Sequence, residues 1–207
     1  MTGALTHSIA EAVEALRAGE PVVYPTETFY GVGADALSPA ALERLFALKR
    51  REAGKPVALI AADIEMAFAL AREIPDAARR LAEAFWPGPL TLVMPPRAGL
   101  PEPLAGPDGG VGVRVSSHPV ARELAARLGR PITATSANLS GDPPATTLDE
   151  TRAAFGDRIR IYLEGGRLGA SAPSTVIAFD RGEWRVLRTG AISHAAIAAA
   201  LSVGGLK

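Results

Sequence analysis

Short apolar runs rich in valine and isoleucine alternate with capped helical patterns along most of this chain, and that alternation restricts it to an α/β fold. Ser8 and Glu11 form a capping box. Ile9, Ala12, Val13 and Leu16 then share one helix face until Gly19 ends it. Val22–Tyr24 reads as a strand. Ser38 and Pro39 are N-cap and N1 of a second helix with Leu42, Leu45 and Phe46 inward. Val57–Ala61 is an apolar strand, Asp63 caps a third helix, and a fourth runs from Pro75 to Phe85, where Trp86-Pro87-Gly88-Pro89 breaks it. Strands follow at Leu90–Met94, Val111–Val115 and Ile132–Thr135, with a helix over Pro119–Leu128 stopped by Gly129. Thr147 and Glu150 make another capping box. Ile159–Leu163, Thr175–Phe179 and Trp184–Arg188 read as strands, the last two joined around Asp180-Arg181-Gly182 as a hairpin, and Ser193 caps a C-terminal helix. The pattern predicts an open twisted mixed β-sheet flanked by helices, in a single domain over residues 1–207 with its core at about 8–201.

Composition narrows the function. The 22 Lys and Arg balance the 22 Asp and Glu, so a protein that coats nucleic acid is disfavoured, although a local basic groove stays open. The absence of cysteine removes disulfides, thiolate metal sites and cysteine nucleophiles together. No segment reads as a secretory signal or a membrane span, and a cytoplasmic protein is the expectation. Half of the residues from Pro87 to Gly110 are Pro or Gly. Pro95–Gly110 therefore reads as a long surface loop, of a kind that often serves as a lid or binding loop.

Chemistry gathers at strand ends, where open α/β sheets hold ligands. Val22-Val23-Tyr24 runs into Pro25-Thr26-Glu27-Thr28-Phe29-Tyr30-Gly31-Val32-Gly33. The plain reading is a threonine-capped turn, and the glycines permit either a tight turn or a close backbone approach. Ile132-Thr133-Ala134-Thr135 likewise enters Ser136-Ala137-Asn138-Leu139-Ser140-Gly141, more polar residues than a turn requires. Lys49, Arg50, Arg51 and Lys55 cluster at a helix end, where they either complement the macrodipole or form a cationic patch for a polyphosphate. On Val111–Val115 the valines face one way, so Gly112 and Arg114 face the other. Arg114 must find a carboxylate, solvent or an anionic ligand. Arg188 poses the same question, and Ser174 offers a small hydroxyl at a strand start. His118, before Pro119, reads as structural. There is no Walker-A loop, nucleophile elbow or metal-ligand spacing. A deep cationic, hydroxyl-rich cleft without a protein-built metal site suits reactions that expel phosphate by positioning and charge neutralisation. Mg²⁺ carried by a nucleotide fits it.

Eight blocks then occur in the order of a known family. They are Pro25-Thr26-Glu27-Thr28-x-Tyr30-Gly31, Lys49-x-Arg51, Lys55-Pro56, Phe85-Trp86-Pro87-Gly88-Pro89-Leu90-Thr91, Val113-Arg114-Val115-x-x-His118-Pro119, Ser136-Ala137-Asn138-x-Ser140-Gly141, Pro173-Ser174-Thr175-Val176 and Leu187-Arg188-x-Gly190. The chain resembles the YrdC-type threonylcarbamoyl-AMP synthases. The resemblance implies that L-threonine, bicarbonate or CO₂, and ATP give threonylcarbamoyl-AMP and pyrophosphate. The product then passes to partner proteins that modify tRNA; tRNA contact by the chain itself is left open. It implies Lys49, Arg51, Ser136 and Asn138 at the ATP phosphates and reacting centre. Lys55, Pro144 and Arg188 fall near the nucleotide, and Thr28, Arg114, Ser174 and the backbone at Ala134 around threonine. Apolar Ile60 stands near where longer members carry a histidine, and Ser116-Ser117 where a proline is frequent. The chain ends at Lys207, short of the longer members' extra domain. Two rivals remain: a tRNA or double-stranded RNA-binding module using the same basic cleft, and a transfer module that accepts a carbamoyl-adenylate made elsewhere.

Overall fold

The computed structural model describes residues 7–50, 57–106, 109–139, 141–169, 172–180 and 183–202. Its strands are β1 (Val22–Tyr24), β2 (Gly31–Gly33), β3 (Ala58–Ala61), β4 (Leu90–Met94), β5 (Val111–Val115), β6 (Ile132–Ser136), β7 (Ile161–Tyr162), β8 (Thr175–Asp180) and β9 (Glu183–Arg188). The helices are α1 (Ile9–Arg17), α2 (Pro39–Lys49), α3 (Ile64–Phe68), α4 (Asp76–Phe85), α5 (Pro119–Leu128), α6 (Leu148–Phe155) and α7 (His194–Ser202). The strands form one mixed sheet in the order β7-β1-β2-β6-β3-β5-β4-β8-β9. The caps act as the sequence requires. Ser8 and Thr147 close full capping boxes, Ser38 and Asp63 cap α2 and α3, and Gly129 ends α5 in the left-handed conformation. No helix among the described residues is long and apolar enough to cross a membrane.

Side-chain alternation sorts the sheet into two faces. Leu59 and Ala61 of β3, Leu90, Leu92 and Met94 of β4, Val111, Val113 and Val115 of β5 and Ile177 of β8 pack under α3, α4 and α7. On the opposite face, Ile60 and Ile132 join Val22, Tyr24 and Ile161 beneath α1 and α5. Val23 and Val32 pack instead against Leu45 of α2 and Phe155 of α6. The α1–α5 layer covers only part of its face. Along paired β3 and β6, Ile60 sits opposite Ile132 in the core, while Ala58 sits opposite Ala134, and both of these line an open cleft.

Two expectations change, and a third gains detail. Gly31-Val32-Gly33 is no turn but a strand antiparallel to β1. The close approach decides it: Tyr24 lies across both glycines, and a Cβ on Gly33 would stand 2.8 Å from its Cε1. The strand expected over Ile159–Leu163 shrinks to Ile161–Tyr162, because a 3₁₀ turn over Gly156–Arg158 occupies the approach to it. The Pro95–Gly110 loop stays largely on the surface, and its described residues are pinned at several points. Arg72 N–H donates to Pro95 O (2.8 Å), Arg97 N–H to Leu70 O (2.9 Å) and Gly106 N–H to Gly110 O (2.8 Å). Leu104, fully buried, anchors its middle in the core.

Candidate active site

The cleft encloses about 500 Å³ over the uncovered remainder of the α1–α5 face. Its floor is made of alternate strand residues: Ala58 of β3, Thr91 and Val93 of β4, Gly112 and Arg114 of β5, Ala134 and Ser136 of β6, and Val176 of β8. Small residues at Ala58, Gly112 and Ala134 leave the space that valines fill on the other face. Gly106 and Gly110, from the tied-down segment, and Pro144 complete the wall. Among the described lining residues the charged ones are Arg114 and Arg188.

The β1–β2 connection builds one end. Thr26 Oγ1 accepts from the N–H groups of Thr28 (3.1 Å) and Phe29 (3.2 Å) and donates to Phe29 O at 2.7 Å. With its proton so committed, Thr26 Oγ1 accepts the hydroxyl of Thr28 at 3.0 Å. The Thr28 oxygen keeps lone pairs for Arg114 Nη1 at 3.4 Å. Arg114, 6% exposed, also meets Glu27 Oε1 at 3.1 Å. Of the alternatives open for this arginine, the structure gives it a carboxylate. Glu27 is the residue sequence reasoning missed. An arginine on an otherwise valine and glycine strand signals an acid elsewhere, but nothing local singles out Glu27 among the 22 acids.

Across the floor, Ser174 Oγ lies 3.0 Å from Thr91 Oγ1. Arg188 clamps Ser174, with Nη2 donating to its hydroxyl (2.8 Å) and its carbonyl (2.9 Å) and Nε to the same carbonyl (3.1 Å). Burial, and then the nearby charge of Arg114, pull the Arg188 guanidinium below its ordinary pKa. Arg188 and the Glu27-paired Arg114 thus face one cavity.

The third wall is the turn after β6. Ala137 N–H donates to Tyr30 O at 2.8 Å. Asn138 Nδ2 donates to Leu139 O (3.0 Å) and Asp142 O (2.5 Å). Lys49, 4% exposed and last in α2, sends Nζ to Ser136 O at 2.5 Å and to Asn138 O. Thr28, Arg114, Ala134, Ser136, Pro144, Ser174 and Arg188 thus line one cleft. Lys49 and Asn138 stand behind its wall, the lysine gathering the carbonyls of the Ser136–Asn138 turn. Arg51 and Lys55, and Ser140, lie outside the described residues. Ile60 is the register partner of Arg114 on the neighbouring strand but is fully buried under α1 and α5. His118 caps α5 by accepting from Val120 N–H, the structural role expected of it.

Among the described residues no cluster of three or more His, Cys, Asp or Glu could hold a metal. A hydroxyl- and cation-lined cleft of this kind can grip carboxylate and phosphate groups.

The Sua5/YciO/YrdC family model, described as "Telomere recombination", matches residues 14–190. Threonylcarbamoyl-AMP synthase from Vibrio cholerae is 40% identical over 189 residues, covering 90% of this chain and all of that protein. The crystal structure of Pyrococcus abyssi Sua5 complexed with L-threonine superposes with a TM-score of 0.89 at 38% identity, covering 93% of this chain. This chain spans 57% of the length of that archaeal protein. Escherichia coli YciO superposes with a TM-score of 0.80 at 28% identity over 89% of this chain and 90% of its own. With the blocks, the sheet order and the cleft all in place, the chain belongs to the Sua5/YciO/YrdC family.

Proposed function

We propose that this cleft binds L-threonine and ATP side by side, and that the chain is a threonylcarbamoyl-AMP synthase. One observation carries the reading. Arg114, Thr28 and Ser174 share a single cavity with Ser136, Pro144 and Arg188, in a chain 40% identical to a threonylcarbamoyl-AMP synthase. Arg114 offers its fork to the threonine carboxylate, and Thr28 and Ser174 offer hydroxyls to the remaining polar groups. Arg188, Ser136 and Asn138, with Arg51 and Lys55, serve the nucleotide, and Mg²⁺ arrives on the ATP. Lys49 fixes the Ser136–Asn138 turn against the phosphates.

The amine of threonine adds to CO₂, supplied as such or from bicarbonate, and gives up a proton to form a carbamate. A carbamate oxygen attacks the α-phosphorus and the bond to pyrophosphate breaks. The side chains hold the reactants in line and neutralise charge on the departing pyrophosphate, which places the catalytic work in positioning and electrostatics. The adenylate is consumed by proteins that transfer the threonylcarbamoyl group to tRNA.

Purified protein should release pyrophosphate from ATP only when threonine and bicarbonate are both present. A Lys49→Ala variant of native circular dichroism should lose most of that release. Wild-type release no greater than this variant's would reject the synthase reading. Retained tRNA affinity with no adenylate formed would point to the RNA-binding module instead.

A further inference from the structure

Glu27 pairs with Arg114 and is not among the residues that line the cleft. The Arg114 and Glu27 side chains are 7% and 13% exposed. One carboxylate oxygen meets the guanidinium at 3.1 Å, and the other accepts the hydroxyl proton of Ser116. Ser116 is fully buried and itself anchored: His118 N–H donates to its hydroxyl at 3.2 Å and Arg122 Nη1 to its carbonyl at 2.6 Å. The acid is thus fixed by the strand-to-helix corner ahead of α5, and from there it holds Arg114 by an ion pair and offsets its charge.

The cancellation matters because the cleft must sort two kinds of anion. A guanidinium fork fits a phosphate as well as it fits a carboxylate. Arg114 and Arg188 together, without a counter-charge, would make the whole cavity a phosphate trap. With Glu27 beside it, Arg114 keeps its directional donors while the pair carries no net charge. An amino-acid carboxylate, whose own ammonium offsets it, is accepted there. A phosphate dianion is repelled by the acid beside the arginine. We propose that Glu27 is a specificity-determining and positioning residue, which keeps phosphate groups off Arg114 while holding the guanidinium for a carboxylate. Assigning Arg114 to the amino acid rests on the function proposed above.

The test is calorimetric titration of the whole protein with inorganic phosphate alone and, separately, with threonine. Glu27→Gln should bind phosphate at least tenfold tighter than wild type, and adding Arg114→Ala should abolish that gain. Glu27→Asp, which keeps the charge but shortens the reach, should still exclude phosphate while its threonine affinity falls at least fivefold. Phosphate binding by Glu27→Gln within twofold of wild type overturns the inference, as does a gain that persists without Arg114. If Glu27→Gln does not fold, the aspartate variant decides, and unchanged threonine affinity in it overturns the inference. Wild type that fails to bind threonine rejects the functional reading instead, because the phosphate arm is read with no amino acid present.

Discussion

At the scale of single residues, Arg114 shows how far a linear pattern reaches. Strand alternation alone puts it opposite the valines of β5, and the structure sets those valines in the core and the arginine in the cleft. Its partners were not legible. Thr28, with Glu27 beside it, is 86 positions from Arg114, and their meeting with the arginine depends on sheet order, which no local signal encodes. The same limit applies to Lys49. A cation in a last helical turn suggests a solvated end, yet this one is buried against the carbonyls of Ser136 and Asn138. The arginine's value lies in its planar fork, which a lysine cannot reproduce. Arg114→Lys should raise the KM for threonine at least tenfold and leave the KM for ATP within twofold. Steady-state pyrophosphate release with each substrate varied in turn measures both, and an equal rise in both constants would contradict a threonine-end role.

At the scale of elements, the helices were legible and one strand was not. Caps and apolar spacing are local, and the structure reproduces the boundaries at Ser38, Gly129 and Thr147. β2 escaped because Gly-Val-Gly has poor strand propensity. What makes it a strand is Tyr24 on β1, whose ring covers Gly31 and Gly33 and whose hydroxyl donates to Thr133 O at 2.8 Å. Burial pushes that phenol's pKa up, so the ring stays protonated and in place. The strand is thus a product of packing, with the missing side chains as the condition for it. Gly33→Ala would drive its Cβ into a ring that has nowhere to go, and overpacking of this kind costs about 1–3 kcal/mol. Urea unfolding should show a free energy lowered by that amount, read as a lower midpoint at an unchanged slope. A midpoint equal to wild type would mean that the ring can move aside. Pro95–Gly110 teaches the complementary point: among its described residues, proline and glycine density correctly excluded α-helix and named strand, but was blind to the 3₁₀ turn Glu102–Leu104 and to the buried Leu104 that pins it in the core.

At the scale of the whole molecule, three scattered groups bias stability in the same direction. Glu11 and Glu150, the acids of the two capping boxes, are held below their ordinary value of 4.5 chiefly by hydrogen bonds from backbone N–H groups, of Ser8 and Thr146 respectively. His118 is lowered from 6.5, first by burial and also by Arg122, against an opposing pull from Glu27. In each case the unfolded chain binds the proton more readily than the folded one, so acid favours unfolding. The contribution of His118 is complete above pH 6.5 and is lost as pH falls through its lower folded value. That of the two glutamates is complete above 4.5 and lost below it. Stability should therefore hold level above pH 6.5, sag once below it as His118 takes up its proton, and fall again below 4.5 as the two glutamates do. Because His118 caps α5 through a ring nitrogen that accepts from Val120 N–H, His118→Asn supplies the same kind of cap without titrating. Thermal melts of that variant should lack the first sag and keep the second, and Glu11→Gln should shrink only the second. A first sag that survives His118→Asn would assign it to another group.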